Sequence, residues 1–131
     1  MQVGKQLSIF LENKPGTLAK VCEALAEKGI NINALTVSDT VDHAVVRMVV
    51  DRPADAAHML GASGVLVIEN DVVLGEVPNR PGALALIAKR LGDHGVNIEY
   101  AYCTAALDRP TGMLVLRTRD PKRAVQVLQS D

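Results

Sequence analysis

The sequence predicts an α+β protein made of two ferredoxin-like βαββαβ units, each an antiparallel sheet with helices on one face, the second lacking its last strand. Three observations lead there. A motif pair recurs at constant spacing: Asn13-Lys14-Pro15-Gly16-Thr17-Leu18 with Gly29-Ile30-Asn31-Ile32, then Asn79-Arg80-Pro81-Gly82-Ala83-Leu84 with Gly95-Val96-Asn97-Ile98, always 66 residues on. Period-2 and period-3.6 patterns alternate along the chain. An apolar fraction of 48% against 22% charged residues suits a chain that buries a core. An ungapped repeat of this length marks two copies of one supersecondary unit, assigned to residues 1–69 and 70–131.

Taken in order, Lys5–Leu11 alternates, with Leu7, Ile9 and Leu11 on one side, and reads as a half-buried strand. Pro-Gly then marks a tight turn, and proline suits the first turn of a helix. From Thr17, Leu18, Val21, Cys22, Leu25 and Ala26 form an amphipathic stripe, and Gly29 stands where a helix-ending residue belongs. Ile30–Ser38 is a second strand, with Ile32 and Ala34 expected on one face and Asn33, Leu35 and Val37 on the other. Asp39–His43 reads as a hairpin. Ala44–Val50 is apolar on both faces except for Arg47, the pattern of a central strand. Asp51-Arg52-Pro53 opens a second helix closed by Gly61 and Gly64, and Val65–Ile68 is a short fourth strand. This order is the split βαβ arrangement.

The second copy runs through a strand at Val72–Val77, a helix carrying Leu84, Ile87, Ala88 and Leu91, and a strand at Ile98–Thr104. A hairpin at Ala106–Gly112, a strand at Met113–Arg117 and a helix at Pro121–Leu128 follow. Pro121 matches Pro53 at an offset of 68, so the hairpin is two residues longer. The edge left by the missing last strand is expected to pair with another chain, giving a homodimer, because open edges recruit strands.

The composition narrows the chemistry. A net charge of −1 with no basic run argues against nucleic acid and anionic membranes as partners. One Phe, two Tyr and no Trp leave too few aromatics for base stacking on a sheet face. The apolar runs are too short to span a bilayer, and the N-terminal residues lack a signal-peptide core, so a cytoplasmic location is expected. Cys22 and Cys103 have no metal-binding spacing and read as free buried thiols; His43, His58 and His94 are scattered. No cofactor or metal is expected, and no nucleophile–base pair supports an enzyme.

The repeated Asn-x-Pro-Gly turns carry two readings. One is a plain strand–turn–helix corner. The other is an anion site, in which bare amides at a helix start receive a carboxylate. Asn13 and Asn79 would accept from an ammonium, while the amides of Gly16, Thr17, Gly82 and Ala83 would take the carboxylate. Lys14 and Arg80 are either added positive charge or solvated loop cations. Asn31 and Asn97 are either ligand groups or helix-exit residues.

At these two motifs, in both copies and across nearly the whole chain, the sequence resembles the ACT domain, a small ligand-binding regulatory module of βαββαβ topology. The resemblance implies a stand-alone tandem ACT protein, non-catalytic, that binds a free amino acid at interfaces between ACT units. It places ligand-binding residues at Asn13, Lys14, Pro15, Gly16, Thr17, Leu18, Ile30, Asn31 and Ile32. In the second copy they are Asn79, Arg80, Pro81, Gly82, Ala83, Leu84, Val96, Asn97 and Ile98. A metabolic enzyme is the expected listener. The second copy departs from the first in its missing strand and in carrying Glu99-Tyr100 where the first has Asn33-Ala34. The competing reading is a protein-interaction module without a small ligand.

Overall fold

The computed structural model describes residues 1–39 and 42–130. The elements are β1 (Gln2–Glu12), α1 (Thr17–Glu27), β2 (Ile32–Asp39), β3 (His43–Val50), α2 (Pro53–Ala62) and β4 (Leu66–Pro78). They continue with α3 (Ala83–Asp93), β5 (Tyr100–Thr104), β6 (Thr111–Arg117) and α4 (Pro121–Gln129). The expected Asp39–His43 hairpin falls partly outside the described residues.

The chain divides into two compact units. One is Lys5–Asn70; the other joins Met1–Gly4 to the residues from Asp71 on. This differs from the expected split at 1–69 and 70–131 chiefly in where the first four residues belong. The reason is packing: Met1 joins the apolar cluster of the second unit, and Gln129 Nε2 donates to the Met1 carbonyl at 2.9 Å.

In the first unit β3 lies between β2 and β1, and the early part of β4 flanks β1 on its other side. The central place of β3 follows from its apolar composition. The antiparallel register sets Leu7 opposite Met48, Ile9 opposite Val46 and Leu11 opposite Ala44. Leu7, Ile9, Val46 and Met48 form one core with Val21 and Leu25 of α1 and Ala56 and Leu60 of α2. Each fully buried Leu or Ile there contributes about 1.5–3 kcal/mol before entropy. A register irregularity between Ile32 and Ala34 breaks the simple alternation expected for β2. Ile32 therefore packs on the helix-side core, while Leu35 and Val37 pair with Met48 and Val46 of that same face. On the opposite face the Ser8 hydroxyl donates to Asn70 Oδ1 at 2.9 Å, holding β4 to β1. Gly61 lies inside α2, whose cap is Ser63, so the helix runs past the point where glycine was expected to close it.

In the second unit β6 lies between β4 and β5, with Val73 opposite Leu116 and Cys103 opposite Leu114. Its core gathers Val73, Leu91, Leu114, Leu116, Ala124 and Val127. Among the described residues no strand follows α4, as the sequence predicts. The open edge expected from that absence does not exist, however. Gln2–Gly4 of β1 lies along β4 on the side away from β6. A Cβ on Gly75 would stand 2.3 Å from Met1 Sδ, and one on Gly4 2.3 Å from Leu74 Cδ1. Both strands are longer than expected, because β4 is continuous through Glu69-Asn70-Asp71, where two separate strands were foreseen.

Candidate functional site

Both repeated turns leave a strand and enter a helix with the same backbone. Gly16 and Gly82 are the N-cap residues, each at φ 88°, ψ −12°, and neither helix start receives a side-chain cap. That left-handed conformation, which L side chains adopt only at a steric penalty, is why glycine stands there. No neighbour enforces it, because a Cβ at either position meets nothing within 4 Å. The space above the turn is open. The first intrahelical bonds are Lys20 N–H to Gly16 C=O at 3.1 Å and Leu86 N–H to Gly82 C=O at 3.0 Å. Amides earlier in each helix have no intrahelical acceptor, although the Ala83 N–H reaches the Arg80 carbonyl at 3.3 Å.

The surrounding side chains brace the turn. Thr17 Oγ1 donates to the carbonyls of Glu12 and Lys14 at 2.9 and 3.1 Å. Lys14 pairs with Glu12 at 3.0 Å, both well exposed, so it behaves as a loop cation of small energetic weight. Asn79 does not cap the helix. Its amide nitrogen donates to Ala106 and Arg109 carbonyls at 3.0 and 2.9 Å, and its backbone N–H to Pro110 at 2.9 Å. The motif asparagine thus ties the long hairpin to the turn, and the Asn13 N–H makes the matching bond to Asp42 at 3.0 Å. A recess of about 80 Å³ beside the second turn is lined by Asn79, Arg80, Leu84, Cys103 and Thr104. Cys103 and Thr104 had no sequence signal for this place, and Cys103 is exposed, not buried as expected.

The remaining candidate residues are not brought to the turns. Helix α1 is about 16 Å long, so Ile30–Ile32 sits at the opposite end of the first unit from Asn13–Leu18. The same separation holds for Val96–Ile98 and Asn79–Leu84 along α3. Within these segments Leu18, Ile30, Ile32, Val96 and Ile98 pack into the two cores. Asn31 is engaged locally: its N–H donates to Asp51 Oδ1 at 3.1 Å and its side chain to Asn33 at 2.8 Å.

Two further features escaped the sequence reading. An apolar groove of about 180 Å³ runs between α3 and the edge strand β5, lined by Leu84, Ile87, Ala101, Cys103 and Leu114. A polar cleft of about 470 Å³ lies between the residues after Gly95 and the start of α4, lined by Asn97, Glu99, Arg119, Asp120 and Arg123. The mixed charge of Arg119-Asp120 and its offset of 68 from Asp51-Arg52 were the available clues. Among the described residues no group of His, Cys, Asp and Glu is placed to hold a metal, and no helix is long and apolar enough to cross a membrane.

Two split βαβ units, each opening its first helix on an uncapped glycine turn, define a paired ferredoxin-like module. The comparisons make this specific: the profile of the ACT domain pair matches residues 1–131, and the chain belongs to that family. ACT domains are typically small-molecule-binding regulatory modules. A Bacteroides thetaiotaomicron protein is 39% identical, with a TM-score of 0.90 over 97% of this chain and 87% of its own. The ligand-free regulatory subunit of aspartate kinase from Thermus thermophilus shares the fold at 18% identity and a TM-score of 0.73, covering 98% of this chain and 95% of that one. Its counterpart from Thermus flavus does so at 19% and 0.66, with the same coverage. No curated protein matches the chain in sequence.

Proposed function

We propose that the chain is a non-catalytic, cytoplasmic amino-acid sensor. It acts as a homodimer, holds its ligand at interfaces between ACT units, and passes the signal to a metabolic enzyme. The observation that supports this most is the pair of identical, uncapped helix starts at Gly16 and Gly82, each under open space. Backbone amides there suit the carboxylate of a zwitterion. The side-chain oxygen of Asn79 suits the ammonium, since its nitrogen is already committed to the hairpin.

The distance along each helix argues for a ligand shared between units. Asn31 and Asn97 lie too far from the turn of their own unit to touch the same small molecule. Antiparallel apposition with another copy brings the turn of one unit to the Asn31 or Asn97 segment of the other. The apolar groove beside β5, with Leu84 at 47% and Leu86 at 66% exposure nearby, is a suitable surface for that apposition.

A thermal-melt screen against the twenty amino acids tests the reading. A ligand at about 100 times its Kd stabilises by roughly 2.7 kcal/mol, a shift of several degrees. Ala19→Asp and Ala85→Asp, at exposed positions in the first turns of α1 and α3, set a competing carboxylate over the amides while favouring the helix. They are expected to keep the fold and abolish the shift. A flat screen favours the interaction-module reading.

A further inference from the structure

The two units treat one position in opposite ways. In the first, the Asn31 N–H donates to the Asp51 carboxylate at 3.1 Å. The unit supplies its own anion. In the second, Asn97 corresponds to Asn31, and Arg119 stands where Asp51 would be. Among the described residues the Asn97 N–H has no hydrogen-bond partner. The carboxylate is gone, and a guanidinium borders the space it would fill.

The charges around that space are divided. Asp120 is engaged as the cap of α4, its Oδ1 accepting from the Arg123 N–H at 3.2 Å. Glu99 is drawn toward Arg117, Oε1 to Nε at 3.6 Å. Arg123 Nη2 donates to the His94 carbonyl at 2.7 Å, which fixes its guanidinium at the cleft wall with further N–H groups unused. Arg119 is exposed and makes no hydrogen bond or ion pair among the described residues. Both acids thus have partners, while donors remain in a cleft of about 470 Å³.

We propose that the cleft between the Gly95–Glu99 segment and the start of α4 binds the carboxylate of a small organic acid, in the place where the first unit sets its own Asp51. The Asn97 N–H and the Arg119 guanidinium receive the oxygens, with Arg123 alongside. Guanidinium–carboxylate pairing is short, directional and charge-assisted. The two acidic groups in the wall disfavour a multiply charged phosphate, so a singly charged carboxylate is the matching class. This proposal shares Asn97 with the sensor reading but stands without it, because it needs neither turn nor a second copy.

Acetate is the probe, followed by ¹H–¹⁵N NMR at constant ionic strength. The expected result is a saturable shift of the Asn97 amide and its neighbours, with the Asn31 amide unmoved. Arg119→Asp restores the arrangement of the first unit and should weaken binding by at least about tenfold. Arg119→Gln, which adds no carboxylate, should weaken it several-fold while leaving the rest of the spectrum intact. Ala85→Asp, which blocks the turn at the far end of α3, should leave acetate binding unchanged. No saturation by about 100 mM acetate, far above a millimolar Kd, overturns the proposal. So does an equal response in Arg119→Asp.

Discussion

Single residues carry the two turns. Because Gly16 and Gly82 sit at φ 88°, Gly16→Ala and Gly82→Ala should each lower stability by about 1–2 kcal/mol, read as a drop in the urea midpoint at unchanged slope. Strain alone would account for it, since the added methyl meets no neighbour. Gly61 and Gly92 behave in the opposite sense. They lie in helices with nothing near an added Cβ, so Gly61→Ala and Gly92→Ala should each stabilise by about 0.5–1 kcal/mol. The turn glycines were legible because a doubled Pro-Gly before a helical stripe has few other meanings. The work of Asn79 was not. Its partners Ala106 and Arg109 lie 27 and 30 residues away, and no local pattern encodes that reach. Arg119 is an intermediate case, since its opposition to Asp51 is readable from the repeat once the two-residue hairpin insertion is allowed for.

At the scale of elements, the helices were well marked: Val21 and Leu25 of the α1 stripe are buried, whereas in α3 only Leu91 of the expected stripe is buried and Leu84 and Ala88 stay exposed. Strands were legible where apolar and polar residues alternate, as around Leu7, Ile9 and Leu11, and in the doubly apolar β3. β1 is nevertheless buried on both faces at Gln6 and Ser8, not half-buried as its alternation suggests. They were misread where pairing overrides composition. Glu69-Asn70-Asp71 looks like a turn, yet β4 runs straight through it, held at Asn70 by Ser8. Gln2–Gly4 carries no alternation at all, and becomes strand because β4 offers it an edge. The hairpin between β5 and β6 makes a sharp test of such close fits. A Cβ on Gly112 would stand 2.1 Å from the Thr104 carbonyl oxygen, and backbone cannot yield as a side-chain tip does. Gly112→Ala should therefore destabilise the protein, and faster hydrogen exchange should be confined to Tyr100–Thr104 and Thr111–Arg117.

At the scale of the whole chain, the second unit depends on residues from both ends of the sequence. Removing Gln2–Gly4 should strip hydrogen-exchange protection from Val72–Val77 and expose the β4 edge. An unpaired edge of that length recruits other strands, so light scattering should show increased self-association. Unchanged protection and unchanged mass would mean that Met1–Gly4 is an accessory to the second unit. The sequence identified the unit that lacks a strand, but not the segment that fills its place. Periodicity reports faces, whereas the identity of a neighbouring strand is set by which segment fits.

The membership of Met1–Gly4 also sets a timetable. During synthesis the Lys5–Asn70 segment emerges whole and can fold at once. Met1–Gly4 is made well before its neighbours, Leu74 and Gly75 of β4 in the middle of the sequence and Gln129 of α4 later still. At 5–20 residues per second, the chain from Asp71 on takes roughly three to twelve seconds to appear. Until β4 appears, Gln2–Gly4 is a strand without a sheet, and until α4 appears the Met1 carbonyl lacks the Gln129 side chain that donates to it. The second unit closes only when α4 meets Met1, so a segment made early waits for one made late.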